Sequence, residues 1–322
     1  MQEIAFLDKY RLVLNIKQEF EGYQTRFEGY FFNDWRHISQ QGNEEFYTFF
    51  LIHKDKKYLD ARLTVFVQGR QGLSPYRAPF GGIECTAGLS PEVLIFFIRE
   101  VEQFLQKKSI DSLQIKAFPF AYSPESTHLL THSLLLLNYK LTGSELSYHI
   151  PVSDQDFESQ IHLSEKRRLK KLKNNGFYFH PISDPDLGEV YDFVRKARLR
   201  KGFPVSLTEL QFRQLFAHFP HEFKVFVVED SLGNQAALTV AVVVNQRILY
   251  NFYPADHIDY QEFSPTVMLN EGLYDFAQKQ HFEILDLGIS TVQGEPNPGL
   301  IRFKKNLGAQ TTLKLSFYKN LI

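Results

Sequence analysis

Several residues in the second half of the sequence could bind or move charge. Six lysines and arginines fall within the eight residues 166–173, and such a run could hold a nucleotide phosphate or an RNA backbone. Asp286 follows a short apolar run, where it could bind an amine or orient a lysine. Tyr253 and Tyr318 could donate a proton or line a pocket. Each has a structural alternative: a solvated helix face for the basic run, an ion pair to Arg302 for Asp286, and packing for the tyrosines.

Other reactive side chains lack the partners that their chemistry needs. His128 and His132 stand four apart on a predicted helix, but no third ligand is evident, so we expect no metal. Cys85 is the one cysteine, and no partner histidine can be assigned to it, so a buried thiol is expected. No carboxylate–histidine arrangement marks a general base.

The composition indicates a globular protein with two domains. The chain has 322 residues, of which 43% are hydrophobic and 23% charged. A net charge of −1 argues against a general nucleic-acid-binding protein, and we expect no DNA partner, but a local basic patch is still compatible with this charge. The start of the sequence lacks the order of a secretion signal, and no window approaches about eighteen uncharged apolar residues. We therefore expect a cytoplasmic protein without a membrane span.

The segment 264–318 has the clearest order of elements. Ser264 is a favourable N-cap and Pro265 a favourable first helical residue, so a helix should begin there. Apolar spacing and alternation then predict the remaining elements of the segment. They are a helix over 264–279, a strand over 282–288, a helix over 296–307 and a strand over 311–318.

The first half contains a similar order, which indicates an internal repeat. It also begins with Ser-Pro, at Ser90. We predict two units, 1–152 and 153–322, with the second as the catalytic copy. The predicted elements of the first unit are a helix over 25–39, strands over 46–53, 58–67 and 74–80, a helix over 90–108, a strand over 111–118, a helix over 124–137 and a strand or hairpin over 139–152.

The residue pattern of segment 264–318 resembles that of GNAT-type acyltransferases, and most of all that of their Fem-type (FemAB-like) branch. In that branch, a strand ending in Asp-x-Gly precedes a helix with Gly-Leu-x-x-Phe-Lys-x-x-x-Gly and a strand ending in an aromatic residue. The matching positions here are 286–288, 299–308 and 317–318. The resemblance covers roughly residues 45–320. It implies a mixed α/β fold with α+β character, a tandem repeat of two GNAT-like units, each a mostly antiparallel sheet flanked by helices.

The resemblance also implies an activity. It predicts an N-acyltransferase that moves an acyl or aminoacyl group to an amine acceptor, a small molecule or a peptide, in the cleft between the units. The donor would be an acyl-coenzyme A or an aminoacyl-tRNA. Lys304 would lie near the transfer site, where a cation could stabilise the developing oxyanion. We name Asp286 and Tyr318 as the other two catalytic candidates. Spacing alone would make Lys304 a solvated lysine next to Lys305.

Binding residues follow from the same resemblance. The donor's phosphates could bind at the helix that begins near Ser264, where backbone N–H groups are free. We assign binding of the donor to Phe263, Ser264, Thr266 and Arg302, and binding of the substrate to Asn251 and Tyr253. The glycines usual in a GNAT loop are replaced here by Glu262-Phe263-Ser264-Pro265, which weighs against ordinary acetyl-coenzyme A binding. Fem-type proteins also lack these glycines.

Two alternatives remain open at this point. The first is ordinary acyl-coenzyme A-dependent acetylation of a small amine. The second is a non-catalytic binding or scaffold protein with a degenerate GNAT-like fold, because the loop glycines and a general base are both missing. The first unit has no Phe-Lys pair that corresponds to Lys304. We expect it to bind the acceptor or to support the second unit.

Overall fold

The computed structural model describes residues 2–15, 23–42, 45–203, 205–292 and 294–322. The chain divides into two compact units: unit 1 contains Met1–Leu146 and Thr312–Ile322, and unit 2 contains Ser147–Thr311. This division differs from the predicted units 1–152 and 153–322. The last strand of the sequence belongs to unit 1, because it pairs with a strand of the first half.

The described residues form helices and strands in the following order. The helices are α1 (Trp35–Ile38), α2 (Pro91–Lys107), α3 (Pro124–Leu136), α4 (Phe157–Gln160), α5 (Leu163–Asn174), α6 (Leu187–Arg200), α7 (Glu209–His218), α8 (Thr266–Lys279) and α9 (Pro298–Asn306). The strands are β1 (Gln2–Leu7), β2 (Tyr10–Asn15), β3 (Gln24–Thr25), β4 (Phe46–His53), β5 (Tyr58–Gln68), β6 (Gln71–Ser74), β7 (Glu84–Cys85), β8 (Ser112–Lys116), β9 (Lys140–Pro151), β10 (Tyr178–Ile182), β11 (Phe223–Glu229), β12 (Gln235–Asn245), β13 (Ile248–Asn251), β14 (Ala255–Asp256), β15 (Ile284–Ile289), β16 (Thr291–Val292), β17 (Glu295–Pro296) and β18 (Gln310–Asn320).

Unit 1 is built on a mostly antiparallel sheet. Its strand order is β1-β2-β4-β5-β6-β8-β18-β9, and β6 and β8 pair in parallel. Helix α2 packs against β1, β2 and α3. The buried residues of α2 recur three or four positions apart, which gives the helix one apolar face for the sheet. They include Leu94, Phe97, Val101 and Leu105.

The strands of unit 2 are ordered β9-β15-β13-β12-β11-β10, and β9 belongs to this unit from Ser147 onward. Strands β13 and β15 run parallel, and α8 makes the crossover between them. The other neighbouring pairs are antiparallel. Helix α8 contacts β10, β11, β12 and β15, and it buries most of its residues there. None of the helices in the described part of the chain has the length and apolar character needed to cross a membrane.

The predicted fold class is confirmed, with two local errors in unit 1. The predicted helix over 25–39 is wrong: the segment contains β3, a 3₁₀ turn at Phe31–Asn33 and the short α1. Phe27, Tyr30 and Phe31 are all buried, so these aromatic residues fill the core instead of forming one helical face. The predicted strand over 74–80 is also wrong, because β6 ends at Ser74.

The packing of α8 on β10 leaves no room for a side chain at Gly272. A Cβ atom there would lie 2.2 Å from Cγ of Phe179, whose ring stacks on Phe226. We expect Gly272→Ala to lower the free energy of unfolding by about 1–3 kcal/mol through overpacking. Gly299→Ala is the matched control in α9, because its nearest neighbour is Asn297 Oδ1 at 3.6 Å. Urea denaturation of both variants measures the effect, and equal stabilities would contradict it.

Candidate active site

The regular pairing of β15 breaks in the middle of the strand. Asp286 pairs with His149 of β9, but Gly288 pairs with the adjacent Tyr148, so Leu287 is an extra residue and forms a β-bulge. Gly288 has a φ of 71°, and its N–H donates to Asp286 Oδ1 at 2.7 Å. Pairing of β15 with β13 ends at the same level, at Tyr250 and Asp286. The bulge therefore releases backbone groups that a regular sheet would have used.

Lys304 fills the space at this bulge. It lies on α9, which is capped by the side chain of Asn297 at the N–H of Leu300, and only 6% of Lys304 is exposed. Its Nζ donates to the carbonyl oxygens of Gly288 and Ile289, both at 2.8 Å. The ring of Tyr148 lies 5.8 Å from the same nitrogen. Since an ammonium has three N–H donors, one is left over for another acceptor.

Burial changes the acid–base properties of this group. It lowers the pKa of Lys304 from 10.5 to about 7, against the opposing charge of Asp286. Asp286 is itself only 3% exposed. Burial also lowers the pKa of His149, and Asp286 again opposes the change. A buried amine beside a carboxylate, with a pKa near neutrality, is typical of functional sites.

The structure brings together two of the three predicted catalytic residues. Lys304 and Asp286 both lie in unit 2, at the bulge of β15. Tyr318 belongs to unit 1, where it pairs with Gln114 of β8. Arg302 is exposed on α9, whereas Lys304 of the same helix is buried and reaches the bulge.

The two residues predicted to bind the substrate, Asn251 and Tyr253, are buried and form hydrogen bonds with other side chains of the protein. Asn251 Oδ1 accepts from Thr239 at 2.6 Å, and its amide donates to Asn270 Oδ1 at 3.3 Å. This buried network ties β12, β13 and α8 together. The hydroxyl of Tyr253 lies 2.8 Å from Ser206 Oγ, and burial raises the pKa of Tyr253.

The predicted donor loop differs from the expected helix start. Helix α8 begins at Thr266, and its cap is Pro265 without a side-chain hydrogen bond, so Ser264 is not the capping side chain. Ser264 has a φ of 55°, because a turn from Gln261 brings the chain into the helix. The ring of Phe263 contacts Phe177, with 5.1 Å between centroids.

Helix α5 places one basic residue, Lys171, next to that loop and carries a basic cleft. Lys171 Nζ lies 4.2 Å from the centroid of Phe263. A cleft of about 330 Å³ opens along α5, with one carboxylate and four cationic side chains. It is lined by Glu158, Leu163, Lys166, Arg167, Lys170, Lys173 and Asn174. Lys173 is paired with Glu158 at 2.7 Å, so the charges of the other three cations dominate the cleft.

Packing accounts for two other reactive side chains of the sequence, Cys85 and His128, whereas His132 is exposed. Cys85 is buried, and burial raises the pKa of its thiol to about 12. His128 packs edge-on against Phe120, with 5.5 Å between ring centroids. Among the residues that the structure describes, no three His, Cys, Asp or Glu side chains could together hold a metal ion.

Solved structures share this fold. FemX superposes with a TM-score of 0.68 at 11% identity, covering 89% of this chain and 90% of FemX. A domain from Agrobacterium fabrum, described as the C-terminal domain of a lysylphosphatidylglycerol synthetase, has a TM-score of 0.55 at 11% identity, covering 81% of each chain. L-PGS from Bacillus licheniformis has a TM-score of 0.54 at 13% identity, covering 87% of this chain and 85% of L-PGS. No protein-family model and no curated protein sequence matches the chain. The resemblance to the Fem-type branch is thus confirmed for the fold.

The lowered pKa of Lys304 gives a pH dependence of stability. Between pH 7 and 10.5 the unfolded chain keeps this lysine protonated while the folded protein loses the proton. The unfolded state then binds more protons, so the free energy of unfolding rises with pH in this window. We expect Lys304→Met to remove that rise, while Lys305→Met keeps it, since Lys305 is exposed. Urea denaturation from pH 7 to 10 measures both variants, and a wild-type slope in Lys304→Met would contradict the assignment.

Proposed function

We propose that this protein is an N-acyltransferase that moves an acyl or aminoacyl group from an activated donor to an amine. One observation carries the proposal: the buried amine of Lys304, which two carbonyl oxygens hold at the bulge of β15. A structural lysine would gain more from reaching solvent than from burial, because desolvating an ammonium is costly. The arrangement is what a site for developing negative charge requires.

The chemistry follows from the position of that cation. When an amine attacks an ester or thioester carbonyl, the carbonyl oxygen becomes an oxyanion. The remaining N–H of Lys304 would donate to this oxygen, in surroundings of low dielectric where the interaction is strong. Asp286 favours the protonated form of Lys304, so that the cation is available near neutral pH. Collapse of the intermediate then forms the amide and expels the donor's alcohol or thiol.

The shared fold supports transfer of this kind. One protein of the same fold is named for lysylphosphatidylglycerol synthesis, whose product carries an aminoacyl group. FemX has the most extensive overlap among the structures compared above. A small-molecule or peptide amine is the acceptor class that we propose.

Of the two donor classes, we favour aminoacyl-tRNA. The loop before α8 is closed by Phe263, which packs on Phe177 and under Lys171. It therefore lacks the open glycine backbone that a pyrophosphate would approach. The basic cleft on α5 suits a longer polyanion, because its cations extend along the helix. An acyl-coenzyme A donor is the competing outcome of the tests below.

Removal of the cation should slow transfer strongly without unfolding the protein. We expect Lys304→Met to lower kcat by about 10²–10³-fold, the usual loss for one oxyanion donor. Lys305→Met is the matched control on the same helix and should stay within about twofold of the wild-type rate. The assay follows labelled amide formed from charged tRNA, or from acyl-coenzyme A, with a panel of amines.

The outcomes separate the hypotheses. Equal rates in Lys304→Met and the wild type would remove Lys304 from the chemistry. Absence of transfer from every donor by the folded wild-type protein would favour the scaffold alternative. Transfer from acyl-coenzyme A alone would establish acetylation of a small amine.

Charge removal in the cleft should weaken tRNA binding. Lys166 and Lys170 form no ion pair with other described residues. We expect the double variant Lys166→Gln, Lys170→Gln to reduce the slope of log K against log salt by about 1.4–1.8, as for two lost phosphate contacts. Filter binding of charged tRNA at several salt concentrations measures the slope.

The control removes the same charge elsewhere. Lys107 and Lys108 are exposed at the end of α2 in unit 1, and their double Gln variant has an identical net charge. If both double variants weaken binding equally, the effect is nonspecific and the cleft is not the tRNA site.

A further inference from the structure

Helix α9, which carries Lys304, has little apolar packing of its own. It has nine residues, of which Lys304 is fully buried, whereas Ile301 and Phe303 are only half-buried. A helix of this length is unstable by itself, and the burial of one lysine adds little apolar stabilisation. The start of α9 is fixed by its Asn297 cap. The position of Lys304 therefore depends on what holds the other end of the helix.

That other end is joined to the start of α5 by a polar junction. The backbone carbonyl oxygen of Asn306, the last residue of α9, accepts from the N–H of His162 at 2.7 Å. The side-chain amide of Asn306 donates to Glu165 Oε1 at 3.1 Å. Gly308 follows with a φ of 80°, and a Cβ atom there would lie 3.1 Å from the carbonyl oxygen of Gln160. The end of α9 is thus in close contact with the chain that leads into α5.

Glu165 is the centre of this junction. It is fully buried, and its carboxylate accepts from Arg168 Nη1 at 2.9 and 3.1 Å and from Ser164 Oγ at 2.9 Å, besides Asn306. Burying a carboxylate is costly unless such donors compensate for its lost hydration. Hydrogen bonds are directional, whereas apolar contacts are not. The junction therefore fixes one position of α9 relative to α5.

The junction lies between the two cationic sites of unit 2. On α9, Asn306 follows Lys304 by two residues, which places the two side chains on nearly opposite sides of the helix. Lys304 thus reaches the bulge of β15, while Asn306 reaches α5. On α5, Lys166 follows Glu165 directly and lines the basic cleft. A shift at the junction would move Lys304 relative to the cleft.

We propose that Asn306 and Glu165 are positioning residues, which hold Lys304 at the place where the oxyanion forms. These roles rest on the proposed function. Neither side chain needs to contact the substrate, because both act through α9. A small displacement is enough to matter, since an error of about 1 Å in the geometry of a site can cost ~10²-fold in rate.

Loss of the junction should slow transfer without weakening the binding of the donor. We expect Asn306→Ala to lower kcat by about 10–100-fold. The dissociation constant of charged tRNA should stay within about twofold of the wild-type value, because the cations of α5 are retained. Filter binding measures this constant, and an equal loss of affinity and of kcat would contradict a positioning role.

The matched control is Asn245→Ala, in the turn between β12 and β13. Asn245 is half-buried like Asn306, and its side chain also makes a hydrogen bond, from the N–H of Arg247 at 2.9 Å. This variant should keep both kcat and the dissociation constant within about twofold of the wild type.

Two variants of Glu165 separate positioning from a general loss of stability. Glu165→Gln keeps an oxygen that can accept from Asn306, whereas Glu165→Ala does not. Both lose the negative charge that faces Arg168, so the difference between them reports the contact with Asn306. We expect Glu165→Gln to keep most of the wild-type kcat and Glu165→Ala to lose as much as Asn306→Ala. Equal kcat values in the two Glu165 variants would overturn the role of this contact.

The pKa of Lys304 tests the junction without a substrate. Burial lowers this pKa to about 7, so release of α9 should hydrate the ammonium and raise the pKa toward 10.5. Heteronuclear NMR of the lysine side chains measures it in the wild type and in Asn306→Ala, in which the charge of Asp286 is the same. The signal that is missing from Lys304→Met identifies the residue.

The outcomes distinguish this role from the proposed function. In an active protein, a wild-type kcat in Asn306→Ala would overturn the positioning role. A wild-type protein that transfers no acyl group would overturn the proposed function, and the pKa then decides about the junction alone. A raised pKa of Lys304 in Asn306→Ala would support the hold of the junction on Lys304, and an unchanged pKa would overturn it.

Discussion

The negative charge of Asp286 is the interaction on which the site depends. A buried carboxylate is stable only when hydrogen bonds or opposite charges compensate for its lost hydration. Here the N–H of Gly288 supplies a hydrogen bond at 2.7 Å, and Lys304 supplies the nearby positive charge. The carboxylate therefore fixes the backbone of the bulge and the protonation of its neighbours at the same time. Protonation of Asp286, or its replacement, would disturb all of these together.

The bulge itself shows how a regular sheet produces an irregular site. One extra residue, Leu287, interrupts the regular register of β15, and the carbonyl groups of the next two residues accept hydrogen bonds from Lys304 of α9. Gly288 makes this possible because its φ of 71° lies in the region that other residues avoid. Around this break the scaffold is held firmly by the buried network of Thr239, Asn251 and Asn270. The site thus combines local irregularity with rigid support, which is what preorganisation requires.

Local patterns in the sequence predicted most elements of the fold. The alternation and flanking turn of β4 and the apolar spacing of α2 gave the right elements, because their burial is one-sided. The helix predicted over 25–39 is wrong, because the aromatic residues of this segment are buried without forming one helical face. Lys304 could be named only through the family resemblance, since nothing in its spacing distinguishes it from the exposed Lys305. The pairing of Asp286 with His149 had no local signal at all, because sequence periodicity does not specify pairing between distant strands.

The position of the last strand, β18, in unit 1 has a consequence for how the protein folds during synthesis. Strand β18 enters the sheet of unit 1 between β8 and β9, so that unit is not continuous in sequence. During synthesis, residues 1–146 emerge first. The edge of β8 that pairs with β18 therefore stays unpaired until the residues of β18 emerge. Unit 2 needs only Ser147–Thr311 and can be complete earlier. Unit 1, which is synthesised first, is thus completed last. Its completion depends on contacts between residues far apart in sequence, which form slowly. Until they form, one edge of its sheet is exposed.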